Sequence, residues 1–392
     1  MTRTVLLLHR GGSGGIRGTE VCLVQSAKAF SAAGFRVVLC RNTPVVDHLL
    51  AGLDPAPRLL DLDFPELMIG GGETSLPLRA YAHALRQLAR IVKDVRPDLI
   101  YCSGGLPCQV AVPVARLRKV PVLCHFHHPA IRRAYFLWLV KLADAVIFSS
   151  YFTREHSDRR AGLSGDVVYN GVNLDSFQPV SRRDAAWRAN LGIHREAAVI
   201  GQVSQLIPSK RPDFLMRAFA ALLEQLDQPL HLCLVGKGPM LEPLREMARE
   251  LGISSQVTIT GYVPDVAPYY QHVFDINVLA SREEGLGIAS LEGAACGLPV
   301  VVTRCTGLSE TIIENETGLA FELEDMADLR SKLAVLICDP GRRSAMGRAG
   351  RNLVQRLFSA QAYNQGVLSA AAKLVQSSAQ PIRAVLTTKL SK

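Results

Sequence analysis

The sequence predicts an α/β protein built from two Rossmann-like domains, each around a parallel sheet. The chain has 392 residues, beyond the roughly 250 to 300 at which a single hydrophobic core stops growing. Short apolar runs alternate with helical patterns along its length, the signature of βαβ units. A polar segment from Phe177 to Arg195, containing Pro179, interrupts this alternation, which then restarts.

Val5 to Leu8 reads as the first strand and runs straight into a glycine loop, so the leading apolar run is a strand and not a signal peptide. A helix from about Thr19 to Ala33 follows, with Leu23, Ala27 and Phe30 on one face and Gly34 as its stop. Further strands are expected at Val37 to Cys40, Leu99 to Cys102, Val120 to Phe126, Ala145 to Ser149 and Val167 to Tyr169. Between them, residues 79 to 93 form an amphipathic helix. At 100° per residue, Arg79, Arg86, Arg90 and Lys93 fall in a stripe opposite Leu85, Leu88, Ile91, Val92 and Val95. That stripe is a solvated outer face or an attachment to a membrane surface.

The second domain begins near residue 196, with strands expected at Ala198 to Val203, Leu230 to Val235, Val257 to Thr260, Ile276 to Leu279 and Pro299 to Thr303. The expected organisation is therefore an N-terminal domain over 1–178, a linker over 179–195, a C-terminal domain over 196–358, a C-terminal helix over 359–378 packing back on the N-terminal domain, and a tail over 379–392 without order. Ligands of such folds bind at the carboxyl ends of the strands, so two facing domains would place the function in a cleft between their loop edges.

Hydrophobic residues make up 48% of the chain and charged residues 20%, which suits two packed cores and argues against extensive disorder. No apolar run reaches the 18 to 20 or so residues that a bilayer span needs. The nine cysteines are odd in number, form no CxxC pair and lie mostly in apolar segments, as Cys40, Cys102, Cys124 and Cys233 do. Reduced, buried thiols in a cytoplasmic protein are expected. The net charge of +9 is concentrated in the N-terminal half, where residues 1 to 178 carry 21 Lys and Arg against 14 Asp and Glu. With 6% aromatics and no basic recognition helix, RNP-like strand or zinc-finger spacing, nucleic acid is not an expected partner. An anionic membrane surface or a phosphate-bearing acceptor fits the charge better.

The most informative stretch is SREEGLGIASLEGAACGLPVVVT, Ser281 to Thr303, in which seven residues separate Glu284 from Glu292 and glycines stand at 285 and 287. A strand ending near Ala280 would pass into a loop whose glycines allow close backbone approach, with free N–H groups at the start of the next helix. Such a loop suits phosphate or sugar oxygens, and Glu292 on the helix could accept from two vicinal hydroxyls. Two exposed acids at a helix start would be the ordinary reading of any single pair. The whole pattern, however, closely resembles the E-x7-E element of glycosyltransferase family 4, retaining enzymes of the GT-B type.

That resemblance implies that Glu284 faces a donor sugar, that Glu292 holds a nucleotide ribose, and that the backbone of Gly285, Leu286, Gly287 and Ile288 contacts sugar hydroxyls and phosphate. LVGKGP at 234–239, with Gly236, resembles the family's glycine turn, and GYVPD at 261–265, with Tyr262 and Val263, its loop beside the nucleotide base. TGLSETIIENETGLAF at 306–321 is similar to the element closing that domain, where Glu310 orders the donor loop or caps a helix. The sequence departs from the family at Gln205, where an Arg is usual before Lys210. An amide cannot supply the guanidinium's charge-assisted bonds, worth about 1.5 to 3 kcal/mol each, and Arg211, one residue on from Lys210, would normally point elsewhere.

In the N-terminal half, HRGGSGGIRGTE at 9–20 lacks the G-K-[ST] of a P-loop and the G-x-G-x-x-G of a dinucleotide fold. It resembles the family's N-terminal loop, which implies that Gly14 and Gly15 approach the donor phosphate; a merely flexible loop is the alternative. In PVLCHFHHP at 121–129, the family's strand-Phe-His element falls on Phe126 and His127, which implies contact between His127 and the transferring sugar. A structural histidine is the alternative. The cluster with His125 and His128 lacks the further ligand a metal site needs. Ser149-Ser150 and YNGVNLDSFQP at 169–179 fit the resemblance as well, with Asn173 where Asp is usual.

The D-x-D at Asp61 to Asp63 reads as a chance triplet. The function implied is a metal-independent, retaining hexosyltransferase that uses a nucleotide-diphosphate sugar as substrate and no resident cofactor, with Lys210, His127 and Glu284 as catalytic candidates. The acceptor would be a glycan or lipid-linked molecule in cell-surface polysaccharide or glycolipid synthesis, at the inner face of the membrane. Gln205 keeps open a catalytically weak nucleotide-sugar-binding protein. A nicotinamide oxidoreductase has the right sheet type but lacks the glycine fingerprint.

Overall fold

Strands rich in Val, Leu and Ile that are buried on both faces build parallel sheets, and helices must then cover both sides. The computed structural model, which describes residues 2–12, 18–67, 76–130 and 132–378, shows two such layers in two compact units. One unit is Met1–Val168 with Tyr363–Lys392, and the other is Tyr169–Ala362.

The first unit runs β1 (Thr4–His9), α1 (Gly18–Ala32), β2 (Arg36–Arg41), α2 (Asp47–Leu50), β3 (Arg58–Asp61), α3 (Leu78–Val95), β4 (Leu99–Ser103), α4 (Cys108–Arg118), β5 (Val122–Phe126), α5 (Arg132–Leu137), β6 (Ala145–Phe148), α6 (Tyr151–Ala161) and β7 (Asp166–Val167). Its sheet order is β3-β2-β1-β4-β5-β6-β7, all parallel. The second runs α7 (Ala185–Asn190), β8 (Ala198–Val203), α8 (Pro212–Gln225), β9 (Leu230–Val235), α9 (Leu241–Glu250), β10 (Val257–Ile259), β11 (Ile276–Leu279), α10 (Ile288–Ala295), β12 (Val300–Thr303), β13 (Gly318–Phe321), α11 (Met326–Cys338) and α12 (Pro340–Leu357). Its order is β10-β9-β8-β11-β12-β13. Helix α13 (Ala360–Ser378) ends the described chain.

A repeated device fixes the strand starts. Asp98, Asp144 and Asp275 each stand one residue before a strand, and each carboxylate accepts a backbone N–H from the first or second residue of a neighbouring strand: Thr4 at 2.7 Å, Val122 at 2.8 Å and Val199 at 2.8 Å. A carboxylate accepting a backbone N–H makes a charge-assisted bond, which sets the register at the sheet edge.

Two strands were not expected from the sequence. β3 is a four-residue edge strand within the D-x-D segment, and β13 lies in a segment read only through its resemblance. Short strands carry too few alternations to stand out. Asp61 of the D-x-D pairs with Arg41. The stretch expected as a linker carries α7, capped where Asp184 accepts Ala186 N–H at 2.9 Å, and Trp187 packs edge-on against Tyr269 at 5.6 Å. An aromatic anchored this way holds the segment in the second unit's core.

Within the first unit, α13 buries Tyr363, Val367, Ala371 and Val375. The Tyr363 hydroxyl lies 2.7 Å from Ser26 Oγ and donates to the Cys22 carbonyl at 3.1 Å. Seven cysteines are buried, Cys305 is partly buried and Cys338 is exposed, all as free thiols.

Candidate active site

Strand order reverses between β8 and β11 in the second sheet, so the loops after these two strands diverge and leave a crevice at their carboxyl ends. The sequence places its donor candidates on these loops. After β8 comes Gln205, then the 3-10 turn Pro208–Lys210; after β11 comes the Ser281 to Gly287 loop. Lys210 Nζ forms an ion pair with Glu284 Oε1, which also accepts from Ser281 Oγ at 3.0 Å. The Glu284 backbone N–H donates to Thr306 Oγ1 at 2.9 Å, and its carbonyl accepts Gly307 N–H at 3.1 Å. A Cβ on Gly307 would stand 2.0 Å from the Gly285 carbonyl. Only glycine lets the two loops interlock so closely.

Gly287, at φ 89°, turns the chain into α10, whose first turn receives no side-chain cap. An uncapped helix start presents backbone N–H groups and the positive end of the helix dipole, both suited to an anion. Leu286 is buried in the core, so its backbone is what it can offer, while Gly285 is buried and Ile288 opens the helix. Four residues on, Glu292 Oε2 accepts from the buried Tyr270 hydroxyl at 3.1 Å. Burial raises the Glu292 carboxyl to about 7, the Tyr270 hydrogen bond holding it down in part. The carboxylate therefore takes up its charge near neutrality, where two donor hydroxyls would favour the ionised form.

Gly236, at φ 144°, has no room for a Cβ, which would meet the Ser204 carbonyl at 1.9 Å. Tyr262 is 59% exposed, with Lys237 Nζ 5.0 Å from its ring centre, and Val263 packs in the apolar cluster containing Tyr269 and Phe274. Gln205 is partly buried. Arg211 does not stand in for the guanidinium missing there, since it pairs with Glu324 at 2.7 Å and lies 4.1 Å over the Phe214 ring.

In the first unit the corresponding reversal falls between β1 and β4. Gly14 and Gly15 lie outside the described residues. His127 follows β5 directly and is buried; its carbonyl accepts from Ser149 Oγ at 3.1 Å, and its ring centre is 4.2 Å from that of His125. His125 Nδ1 lies 2.7 Å from the Tyr101 hydroxyl, which lies 3.1 Å from Ser26 Oγ. Burial pulls the His125 imidazole down to about 3, so it stays neutral. At the end of β1, His9 Nε2 lies 3.4 Å from the buried Glu20 carboxylate. Glu310 accepts from the Tyr169 hydroxyl at 3.0 Å. Asn173 keeps the turn chemistry of Asp, its Oδ1 accepting Asp175 N–H at 3.0 Å.

Comparison with known proteins bears on these two halves separately. Residues 184–353 match the family Glycosyl transferases group 1, and residues 16–176 match Glycosyltransferase Family 4. A D-inositol 3-phosphate glycosyltransferase of Kribbella flavida is 33% identical over 381 residues, covering 87% of each chain. The chain belongs to glycosyltransferase family 4.

A GDP-mannose-dependent alpha-(1-6)-phosphatidylinositol monomannoside mannosyltransferase of Mycolicibacterium smegmatis is 30% identical to this family 4 enzyme over 284 residues, covering 68% of this chain and 74% of that one. Among solved structures, Anabaena HepE in complex with UDP and glucose superposes with a TM-score of 0.79 at 20% identity, covering 94% of this chain and 99% of that one. A glycosyltransferase from Rickettsia africae gives a TM-score of 0.82 at 19% identity, covering 96% and 99%. The fold is GT-B, and the protein is a nucleotide-sugar-dependent glycosyltransferase. Among the described residues no helix is long and apolar enough to cross a membrane.

Ser281, Thr306 and Tyr270 were missed in the sequence of this glycosyltransferase. Tyr270 is 22 residues from its partner Glu292 and lies in a π-helical turn, Tyr269–Val273. A π-turn breaks the 3.6-residue period, so no pattern points its hydroxyl at the acid.

Proposed function

We propose that this glycosyltransferase moves a hexose, with retention and without a metal ion, from a nucleoside diphosphate sugar to a lipid-linked or glycan acceptor in cell-surface polysaccharide or glycolipid synthesis. The observation that carries the reading is the meeting of Lys210 and Glu284 across the β8/β11 crevice, within one loop of the uncapped start of α10. A lysine and a set of backbone N–H groups can stabilise charge on a departing diphosphate in place of a metal. The proposed roles are Lys210 on the diphosphate, Glu284 on the donor sugar, Glu292 on the ribose and His127 on the transferring sugar. Gln205, Gly236, Tyr262, Val263 and the Gly285 to Ile288 backbone complete the donor set. Retention follows if the C1–O bond to the diphosphate breaks and the acceptor oxygen attacks C1 from the same face, its proton passing to the leaving phosphate oxygen. The mycobacterial and Kribbella relatives, by name, act on inositol-containing acceptors, which supports a phosphate-bearing or lipid-linked acceptor here.

The test is turnover of a nucleotide-sugar panel with lipid-linked and soluble acceptors, with product stereochemistry read by proton NMR and the rate compared with and without a chelator. An inverted anomer, or a rate abolished by chelation, would refute the mechanism. The retained Lys210 beside Gln205 favours a second reading, a weak enzyme that binds donor well and turns it over slowly. Calorimetry alongside the same assay separates the two, because binding without turnover by any acceptor supports the weaker activity.

A further inference from the structure

The opposite edge of the first unit's sheet carries a feature that donor chemistry does not use. A cavity of about 550 Å³ opens at the amino ends of β4 and β5, where α3 and α4 finish, and Lys93, Arg96, Arg118 and Lys119 line it together with Asp98. All four cations are exposed, and none is paired with an acid among the described residues. The single acid, Asp98, already accepts the Thr4 N–H at 2.7 Å. The basic stripe of α3 read from the sequence ends here, at Lys93.

Backbone conformation adds an independent argument. Arg96 and Lys119 are the C-caps of α3 and α4 and adopt left-handed conformations, at φ 47° and 57°. Glycine suits that position because a Cβ disfavours it, and α6 indeed ends on Gly162, at φ 58°. At the two helix ends that face the cavity, long cations stand where glycine would fold more easily. Cations near helix C-termini do gain from the dipole, but that explains neither their convergence with Arg118 and Lys93 on one concavity nor the mutual repulsion they incur there.

We propose that this cavity is a second binding site, for a phosphate-bearing polyanion. It is separated from the loop edge of the same sheet by the length of β4, about 16 Å for five residues, so its ligand is not the donor diphosphate. The shared chemistry is a pyrophosphate or phosphomonoester group held by converging guanidinium and ammonium groups. A soluble phosphate compound and a lipid headgroup both present it.

Binding is measured at low ionic strength in the Lys210→Ala background, which removes the proposed diphosphate contact in the other unit. One arm titrates inorganic pyrophosphate by calorimetry, and the other sediments the protein with phosphatidylglycerol/phosphatidylcholine vesicles. The expected result is that Arg96→Gly/Lys119→Gly lowers affinity for at least one probe tenfold or more while the melting temperature stays the same or rises, because glycine relieves both caps. Lys93→Gln/Arg118→Gln, which leaves the backbone conformation untouched, should weaken the same probe. Loss confined to pyrophosphate identifies a soluble ligand, and loss confined to vesicles a headgroup. Failure of the protein to bind either probe, or equal binding by both paired variants, overturns the site.

Discussion

Glu292 shows how burial sets the chemistry of one side chain. Its carboxyl is raised from 4.5 to about 7, so the folded state holds the proton more tightly than the unfolded chain does. The stability linked to this group is present below about pH 4.5 and lost as pH rises through 7, amounting to about 3 kcal/mol. The melting temperature of the nucleotide-free protein should fall over that window, and Glu292→Gln should flatten the fall. If ribose hydroxyls donate to the carboxylate, UDP or GDP binding should release a proton near pH 7, visible as a dependence of calorimetric heat on the buffer. The Gln variant should bind more weakly and show no such release. Lys210→Ala should lower kcat by about 10² to 10³. Gln205→Arg should strengthen donor binding by about 1.5 to 3 kcal/mol, tenfold or more; an unchanged affinity would show that position 205 does not face the phosphates. The acids and the lysine were legible in the sequence because they fall in a long pattern. Ser281 and Thr306 open two of the quoted stretches, but nothing local ties their hydroxyls to Glu284, and Tyr270 lies outside any motif, where a single hydroxyl carries no periodic signal.

At the scale of elements, the proposed donor site depends on two loops that fit only through glycine. The Gly307 Cβ position is blocked by backbone, 2.0 Å from the Gly285 carbonyl, and backbone cannot swing aside as a side chain can. Gly307→Ala should therefore destabilise the protein by about 2 to 4 kcal/mol and weaken nucleotide binding in the same variant. Gly52→Ala is the control, as nothing lies within 4 Å of its Cβ position. A Gly307→Ala protein with normal melting and normal binding would mean that the loops need not interlock. Most elements could be read from the sequence because buried parallel strands such as Val5 to Leu8 and Leu230 to Val235 are continuous apolar runs. β3 and β13 are four residues each, too short for such a run, and α7 sits in a polar stretch whose one anchor is Trp187.

For the whole molecule, the notable feature is that α13, more than 190 residues beyond β7 in sequence, completes the first unit's core. Tyr363 is 1% exposed, its hydroxyl joined to Ser26 and Cys22, and its ring stacks 5.8 Å from His125. Tyr363→Ala should cost about 3 to 5 kcal/mol, whereas Tyr363→Phe, which keeps the ring, should cost about 1 kcal/mol. Two compact units need not unfold together. In scanning calorimetry, nucleotide should raise the transition of the second unit and Tyr363→Ala should lower the other. A Tyr363→Ala effect confined to the nucleotide-sensitive transition would contradict the packing of α13 in the first unit.

The sequence by itself determined the fold class, the two-sheet organisation and the family, and it singled out the acids and the lysine proposed to hold the donor, because apolar periodicity and a dense motif are local properties of the chain. Tertiary structure decided which residues meet: Lys210 with Glu284, 74 positions apart, Tyr270 with Glu292, and the four cations that two helix ends bring to one cavity. Strand order places these neighbours, and strand order arises from how whole elements pack, which no short stretch of sequence records.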